Sequence, residues 1–211
     1  MTPANICGMA HVQGLDAIAV TDHNTARNLP YVKEAADYYR LILLPGMEIT
    51  TREEVHLLGY FPTVDSAVEA GEFFSSHLPP MKNRPDFFGH QYVMDTDDNV
   101  VDEETRMLIG ATDVPLNQAV AEIRRRGGIA VPAHINRGSN GLLVNLGMMP
   151  TDIDFPWVET WKALPVDERA VAGRKVLNAS DAHQLGAIRE AVFDLETERF
   201  SFGGLWDRLS S

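Results

Sequence analysis

The sequence predicts an α/β fold whose strands are covered on both faces, either a barrel or a doubly wound sheet, and three observations carry this. Apolar strand-like runs alternate with helical patterns along the chain. Those runs ("AIAV", "LILLPGMEIT", "GIAVPAH", "KVLN") are continuous rather than alternating, as strands buried on both faces require. The 211 residues, 45% hydrophobic and 23% charged, suffice for one sizeable core, so a single domain over 1–211 is expected.

The first element reads as a helix. Thr2 suits an N-cap and Pro3 the first helical position, Ile6, Met9 and Ala10 share a face, and Gly14 stops the run. A strand follows at Ala17–Val20, then a helix around Leu29–Tyr39. "LILLPGMEIT" reads as a buried strand interrupted at Pro45-Gly46, and "EVHLLGYF" as a strand over Val55–Phe61. Residues 62–112 are less regular: a Pro-rich stretch, "HLPPMKNRPDFFGHQ", resembles an insertion or lid. "QYVMDTDDNVV" reads as a hairpin turning at Asp97-Asp98-Asn99. Asp113 is expected to cap a helix with Leu116, Ala119, Val120 and Ile123 on one face, ended by Gly127-Gly128. "IAVPAH", "WVETW", "KVLNASDAH" and "AVFDLE" read as strands, and Phe202–Leu209 as a last helix.

Composition narrows the function. With 18 basic and 30 acidic residues the net charge is −12, which argues against a surface that coats nucleic acid, since phosphate binding needs clustered Lys and Arg. On this ground duplex nucleic acid is not expected as a partner, while a small anionic substrate held through a metal remains compatible. No apolar run reaches membrane-spanning length, so no membrane partner is expected. The lone Cys7 forms no internal disulfide, and a cytoplasmic setting is expected.

The ends of the strands share a pattern. "AIAVTDH" ends in Asp22-His23, "LILLPGMEIT" holds Glu48, "EVHLLGY" holds His56, "GIAVPAH" ends in His134, and "KVLNASDAH" ends in Asp181-Ala182-His183. Strand ends of a parallel barrel converge on one mouth. Any one such histidine, alone, is more often structural than a ligand, and Asp22 or Asp181 alone more often caps a helix. Repeated on successive strands, they point to a metal site, and imidazole nitrogen with carboxylate oxygen suits Zn, Mn or Fe rather than Ca. His11 and His77 lack this context and read as solvated; His90 reads as structural.

These residues together resemble the PHP family, named for polymerase and histidinol phosphatase. The matching pieces are "GLDAIAVTDHNT", "ILLPGMEITTREEVHLLGYF", "GGIAVPAHINR" and "LNASDAH", in family order over most of the chain. The resemblance implies a distorted (β/α)7 TIM-like barrel that hydrolyses phosphate esters by attack of a metal-bridging hydroxide. It implies that Glu48 bridges metals and completes one site with His56 and His134. His23 and His183 match ligands of a second ion, and Asp181 a ligand of a third that Glu48 also contacts. Glu48 and Asp181 thereby become catalytic as well as metal-binding. Arg137 matches the place of a basic phosphate clamp, with Arg52 and Arg27 weaker candidates, and Asp22 reads as an outer orienter of the His23 imidazole.

Relatives begin with a strand carrying His-x-His, whereas this sequence opens where they enter their first helix. The resemblance therefore implies a first strand missing, fewer than three ions, and an open sheet edge at which a second copy of the chain could pair. The expected substrate is a small phosphorylated metabolite or nucleotide, selected by residues 62–112 and the loop after His134. The alternative is a truncated, catalytically inactive module that binds metal or ligand.

Overall fold

The computed structural model describes residues 1–161, 164–189 and 193–211. Helix α1 (Pro3–Val12) starts as its residues dictate: the Thr2 hydroxyl accepts the Asn5 N–H at 3.3 Å. Strand β1 (Ala17–Val20) and helix α2 (Leu29–Tyr39) lead into β2 (Ile42–Thr50) and β3 (His56–Tyr60). Helix α3 (Val64–Ser76) opens with a reciprocal cap between Thr63 and Ser66. The irregular stretch then holds α4 (Pro85–Phe88) and the hairpin β4 (Tyr92–Met94) and β5 (Val100–Glu103). Its turn lies where the Asp-Asp-Asn run places it, with Asp98 at φ +63°. There follow α5 (Leu116–Arg125), β6 (Ile129–Pro132), α6 (Leu142–Leu146), β7 (Trp157–Thr160), α7 (Glu168–Val171), β8 (Lys175–Asn178) and α8 (Phe202–Ser210).

The α/β class is observed, but the sheet is mixed. The main sheet runs β1-β2-β3-β6, with β1–β2 parallel and both β2–β3 and β3–β6 antiparallel. β7 and β8 form a parallel pair. It meets the end of β6 where the Ile135 N–H donates to the Glu159 carbonyl at 2.9 Å. Among the described residues these sheets are separate, not one closed barrel. The link from Thr50 to His56 is too short for the crossover that parallel neighbours need, so β3 folds back on β2.

Two further expectations change. β2 is continuous through Pro45, whose missing N–H costs the ladder little, since its carbonyl still accepts the Phe61 N–H at 2.9 Å. Gly46 beside it admits the Tyr60 ring, which a Cβ would approach to 2.9 Å. The cap expected at Asp113 is not used. Pro115 is extended (φ −65°, ψ 154°), α5 begins one residue later, and the Glu53 carboxylate accepts the Leu116 N–H at 2.9 Å. The strand expected at "AVFDLE" begins on Ala191 and Val192, outside the described residues, and residues 193–197 form no strand.

The core sits between the main sheet and its helices. Met47, Ile49, Leu57, Phe61 and Phe74 are buried against the apolar face of α5, with Leu116, Ala119, Val120 and Ile123 where the sequence put them. Each large side chain contributes about 1.5–3 kcal/mol on burial. A second cluster packs Cys7, Val32, Ala36 and Leu43 between α1, α2 and the sheet. α3 lies so close to the chain after His23 that a Cβ on Gly71 would stand 2.8 Å from the Ala26 nitrogen. The fold thereby presses the His23 loop against the end of β2.

Candidate metal centre

Each candidate side chain is delivered by a strand or by the turn that follows one. Glu48 lies within β2, His56 begins β3, His134 follows β6, and His23 follows β1. The His23 turn is tied to β2 at two backbone points: Glu48 N–H to the Asp22 carbonyl at 3.1 Å and Asn24 N–H to the Glu48 carbonyl at 2.8 Å. His56 is fixed through its own backbone, donating to Asn140 at 2.9 Å and accepting from Ala133 at 3.0 Å. Asn24, His134 and Asp181 adopt φ of +51°, +26° and +46°, conformations that non-glycine residues hold only when their surroundings enforce them.

The four side chains meet around one carboxylate. Glu48 Oε2 lies 3.2 Å from His23 Nδ1, while Oε1 lies 3.1 Å from His56 Nδ1 and 3.3 Å from His134 Nε2. His56 Nδ1 and His134 Nε2 are themselves 3.2 Å apart. Glu48 is only 6% exposed and His134 2%. The His23 Nδ1 atom is buried, and despite its proximity to Glu48 it makes no aligned hydrogen bond; His134 Nδ1 is also buried without a partner. Donor atoms of His23, Glu48 and His56 all lie within 4.8 Å of one another. Nitrogen and oxygen donors gathered this closely around a buried point suit a divalent cation, which takes such donors together.

The electrostatics fit this. Burial alone would raise the Glu48 carboxyl, but contact with His134 and His56 and the charge of His23 hold it far below the usual carboxylate range. Burial lowers the His23 imidazole, helped by His56 and His183 and opposed by Glu48. His134 goes the other way: burial would lower it, and Glu48 lifts it above the ordinary value.

The remaining candidates lie at one edge. Asp181 follows β8 and pairs through its carboxylate with Arg137. His183 is largely exposed, its Nδ1 2.9 Å from the Asp181 carbonyl and its ring centroid 6.1 Å from that of His23. Asp22 faces away from the expected role: its carboxylate accepts from Asn28 Nδ2 at 3.2 Å, and among the described residues no hydrogen bond joins it to the His23 ring. Arg27 pairs with Asp102 and Glu104 and Arg52 with Glu53, outside the histidine cluster. His11 is exposed. His77 is half-buried rather than solvated, with Nδ1 2.8 Å from the Phe73 carbonyl. His90 contacts Glu103 at 2.8 Å and stacks on Tyr92.

Two supporting residues escape the sequence pattern. Glu159, in β7, is buried behind His134 and accepts the His134 N–H at 3.2 Å. Burial pushes its carboxyl up to about 7, the His134 contact opposing and Glu48 and Asp181 adding. Its signal was available, an acid inside the apolar run "FPWVETW". Asn24 is fully buried and saturated. Its Nδ2 donates to Leu108 and Gly110 at 2.7 and 3.0 Å, and its Oδ1 accepts from Thr50 at 2.9 Å.

No family model matches the chain, and no curated protein matches it in sequence. Solved structures do. The lesion-specific endonuclease PfuEndoQ of Pyrococcus furiosus aligns over 99% of this chain and 51% of its own at a TM-score of 0.69 and 14% identity. A protein described as a metal-dependent phosphoesterase from Bifidobacterium adolescentis aligns over 88% and 83% at 0.57 and 20% identity. A two-domain protein from Bacteroides vulgatus, containing a predicted PHP-like metal-dependent phosphoesterase, aligns over 98% and 57% at 0.54 and 18% identity. The fold of this chain is that of PHP-like metal-dependent phosphoesterases. The chain spans about half the length of Endonuclease Q.

This corrects the expectation that duplex nucleic acid is excluded. Endonuclease Q has also been solved with a 27-mer duplex substrate carrying an abasic lesion at its active site, at a TM-score of 0.63 and 15% identity over 100% of this chain and 52% of its own. Net charge averages the whole surface, whereas attraction of phosphate to a rim is set by local charge. The acidity of this chain therefore excludes no class of phosphoester. Among the described residues, no helix is long and apolar enough to cross a membrane.

Proposed function

We propose that this chain is a metal-dependent phosphoesterase whose divalent cations, two or more per chain, would be held around Glu48 by His23, His56 and His134. The observation that carries the reading is the splitting of Glu48, one oxygen toward His23 and the other toward His56 and His134. Glu48, His56 and His134 would hold one cation, and Glu48 with His23 and His183 a second. Asp181 offers further oxygen beside them. The strand order, extended past β6 by the Ile135–Glu159 bond, supports reading the sheets as part of a distorted (β/α) barrel.

A divalent cation bound there supplies Lewis acidity toward a phosphoryl oxygen and acidifies water near neutral pH. The chain's own residues do the rest. Glu159 and the strained His134 backbone fix the imidazole orientation before any ligand arrives. Arg137, on the rim, neutralises Asp181 and presents a guanidinium whose fork matches phosphate. Residues 62–112 border the site, because Asn24 and Asn28 bind the backbone of Leu108, Gly110 and Tyr92; this segment and the loop after His134 select the substrate. Small phosphorylated metabolites and nucleotides fit this rim, and nucleic-acid phosphodiesters belong in the same panel.

The test is hydrolysis of bis(p-nitrophenyl) phosphate, glycerol phosphate and an abasic duplex with Mn, Zn or Fe added after chelation. Turnover that requires metal and is lost in Glu48→Gln and His183→Ala supports the reading; turnover indifferent to both substitutions overturns it. One feature favours the rival, a metal-binding module without turnover: Asp181 is engaged by Arg137. That reading predicts a single ion per chain and no hydrolysis above a His134→Ala control.

A further inference from the structure

Trp161 directly follows β7, two residues after Glu159, which accepts the His134 N–H. It is 37% exposed, while Trp157, four residues earlier at the start of β7, is 2% exposed with its indole N–H donated to the Leu209 carbonyl at 2.8 Å. The chain thus spends one tryptophan on the core and holds the other at the surface. Its position is locked. The Asn136 side chain accepts from the Trp161 N–H at 2.8 Å and donates to the Trp161 and Leu164 carbonyls at 2.9 and 2.8 Å. Asn136 lies between His134 and Arg137, so the loop that carries a candidate ligand also holds the Trp161 backbone.

The Arg137 guanidinium lies 5.4 Å from the Trp161 ring centroid while pairing with Asp181. A cation that suits phosphate is thus stacked on an exposed aromatic ring, and its partner Asp181 lies 3.6 Å from His183 Nδ1.

We infer that Trp161 is the specificity-determining residue of this site, a stacking wall for a nucleobase, and that the favoured phosphoester carries a base next to the phosphate. The inference rests on the phosphoesterase reading and names its substrate class. Stacking of a base on an aromatic side chain tolerates any base and strengthens binding by about tenfold or more.

The experiment is calorimetric binding of adenosine 5′-monophosphate and ribose 5-phosphate, with and without Mn, to the wild type, Trp161→Phe and Trp161→Ala. The two ligands share sugar and phosphate and differ in the base. The expected result is a preference for the nucleotide of about tenfold or more, kept in Trp161→Phe and reduced to about twofold or less in Trp161→Ala. Equal binding of both ligands by the wild type, or a full preference in Trp161→Ala, overturns the inference and leaves the phosphoesterase reading standing. Binding of neither overturns the inference as well, and the hydrolysis panel decides the phosphoesterase reading separately.

Discussion

His134 Nε2 and Glu48 Oε1 lie 3.3 Å apart although β3 runs between their strands, and His134 reaches that point with a backbone φ of +26°. The fold holds an uncommon conformation to keep a histidine against a buried carboxylate. The residues that enforce it are as open to test as the contact itself.

Glu159 is the first of them. Its proton is held more tightly in the folded chain, where the carboxyl titrates near 7, than in the unfolded chain, where it titrates near 4.5. Stability is therefore fully present below about pH 4.5 and lost as pH rises through about 7. Metal-free wild type is expected to lose on the order of 3 kcal/mol across this window relative to Glu159→Gln. Urea unfolding of both proteins at acidic and mildly alkaline pH checks it, and parallel pH profiles would rule the effect out.

Asn24 ties the His23 turn to β2 and to the end of the 62–112 segment. Asn24→Ala removes three hydrogen bonds and strands the Thr50 N–H and the Leu108 and Gly110 carbonyls. A loss of about 2–4 kcal/mol is expected. Hydrogen exchange should rise between Tyr92 and Gly110 before it rises in α5. Uniform acceleration over the chain would show that Asn24 holds no local junction.

Cys7 is fully buried, and burial pushes its thiol from 9.0 up to about 11. The folded thiol should resist a disulfide reagent at pH 8 and react once in urea. Because the folded value is the higher one, stability should also fall as pH rises from about 9 through 11. Rapid labelling of the native protein would contradict the packing of α1 on α2.

Much of the site was legible because chemistry interrupts apolar runs. His23, Glu48, His56 and His134 stand out where a buried strand carries or ends in a donor, and the structure brings all four together. The antiparallel return of β3 was readable too, from the short link between Thr50 and His56, but the continuous apolar runs pointed to parallel neighbours instead. Continuity of β2 through Pro45 was hidden, because proline ordinarily breaks a ladder and only the tertiary Phe61 bond compensates. The pairings of Asn136 with Trp161 and of Arg137 with Asp181 depend on loops far apart in sequence, so no local pattern announces them.

The central claim, that one buried carboxylate and three imidazoles together bind divalent metal, is tested most directly by metal titration. Chelated protein is titrated with Mn or Zn in the calorimeter, with Glu48→Gln and the exposed-site control His11→Ala alongside. Outer-shell partners of metals are worth about 10–100-fold in affinity, so loss of the bridging Glu48 should weaken binding by about 100-fold or more while His11→Ala matches the wild type. Glu48→Gln binding as tightly as the wild type, or a wild type that binds neither metal, would contradict the account.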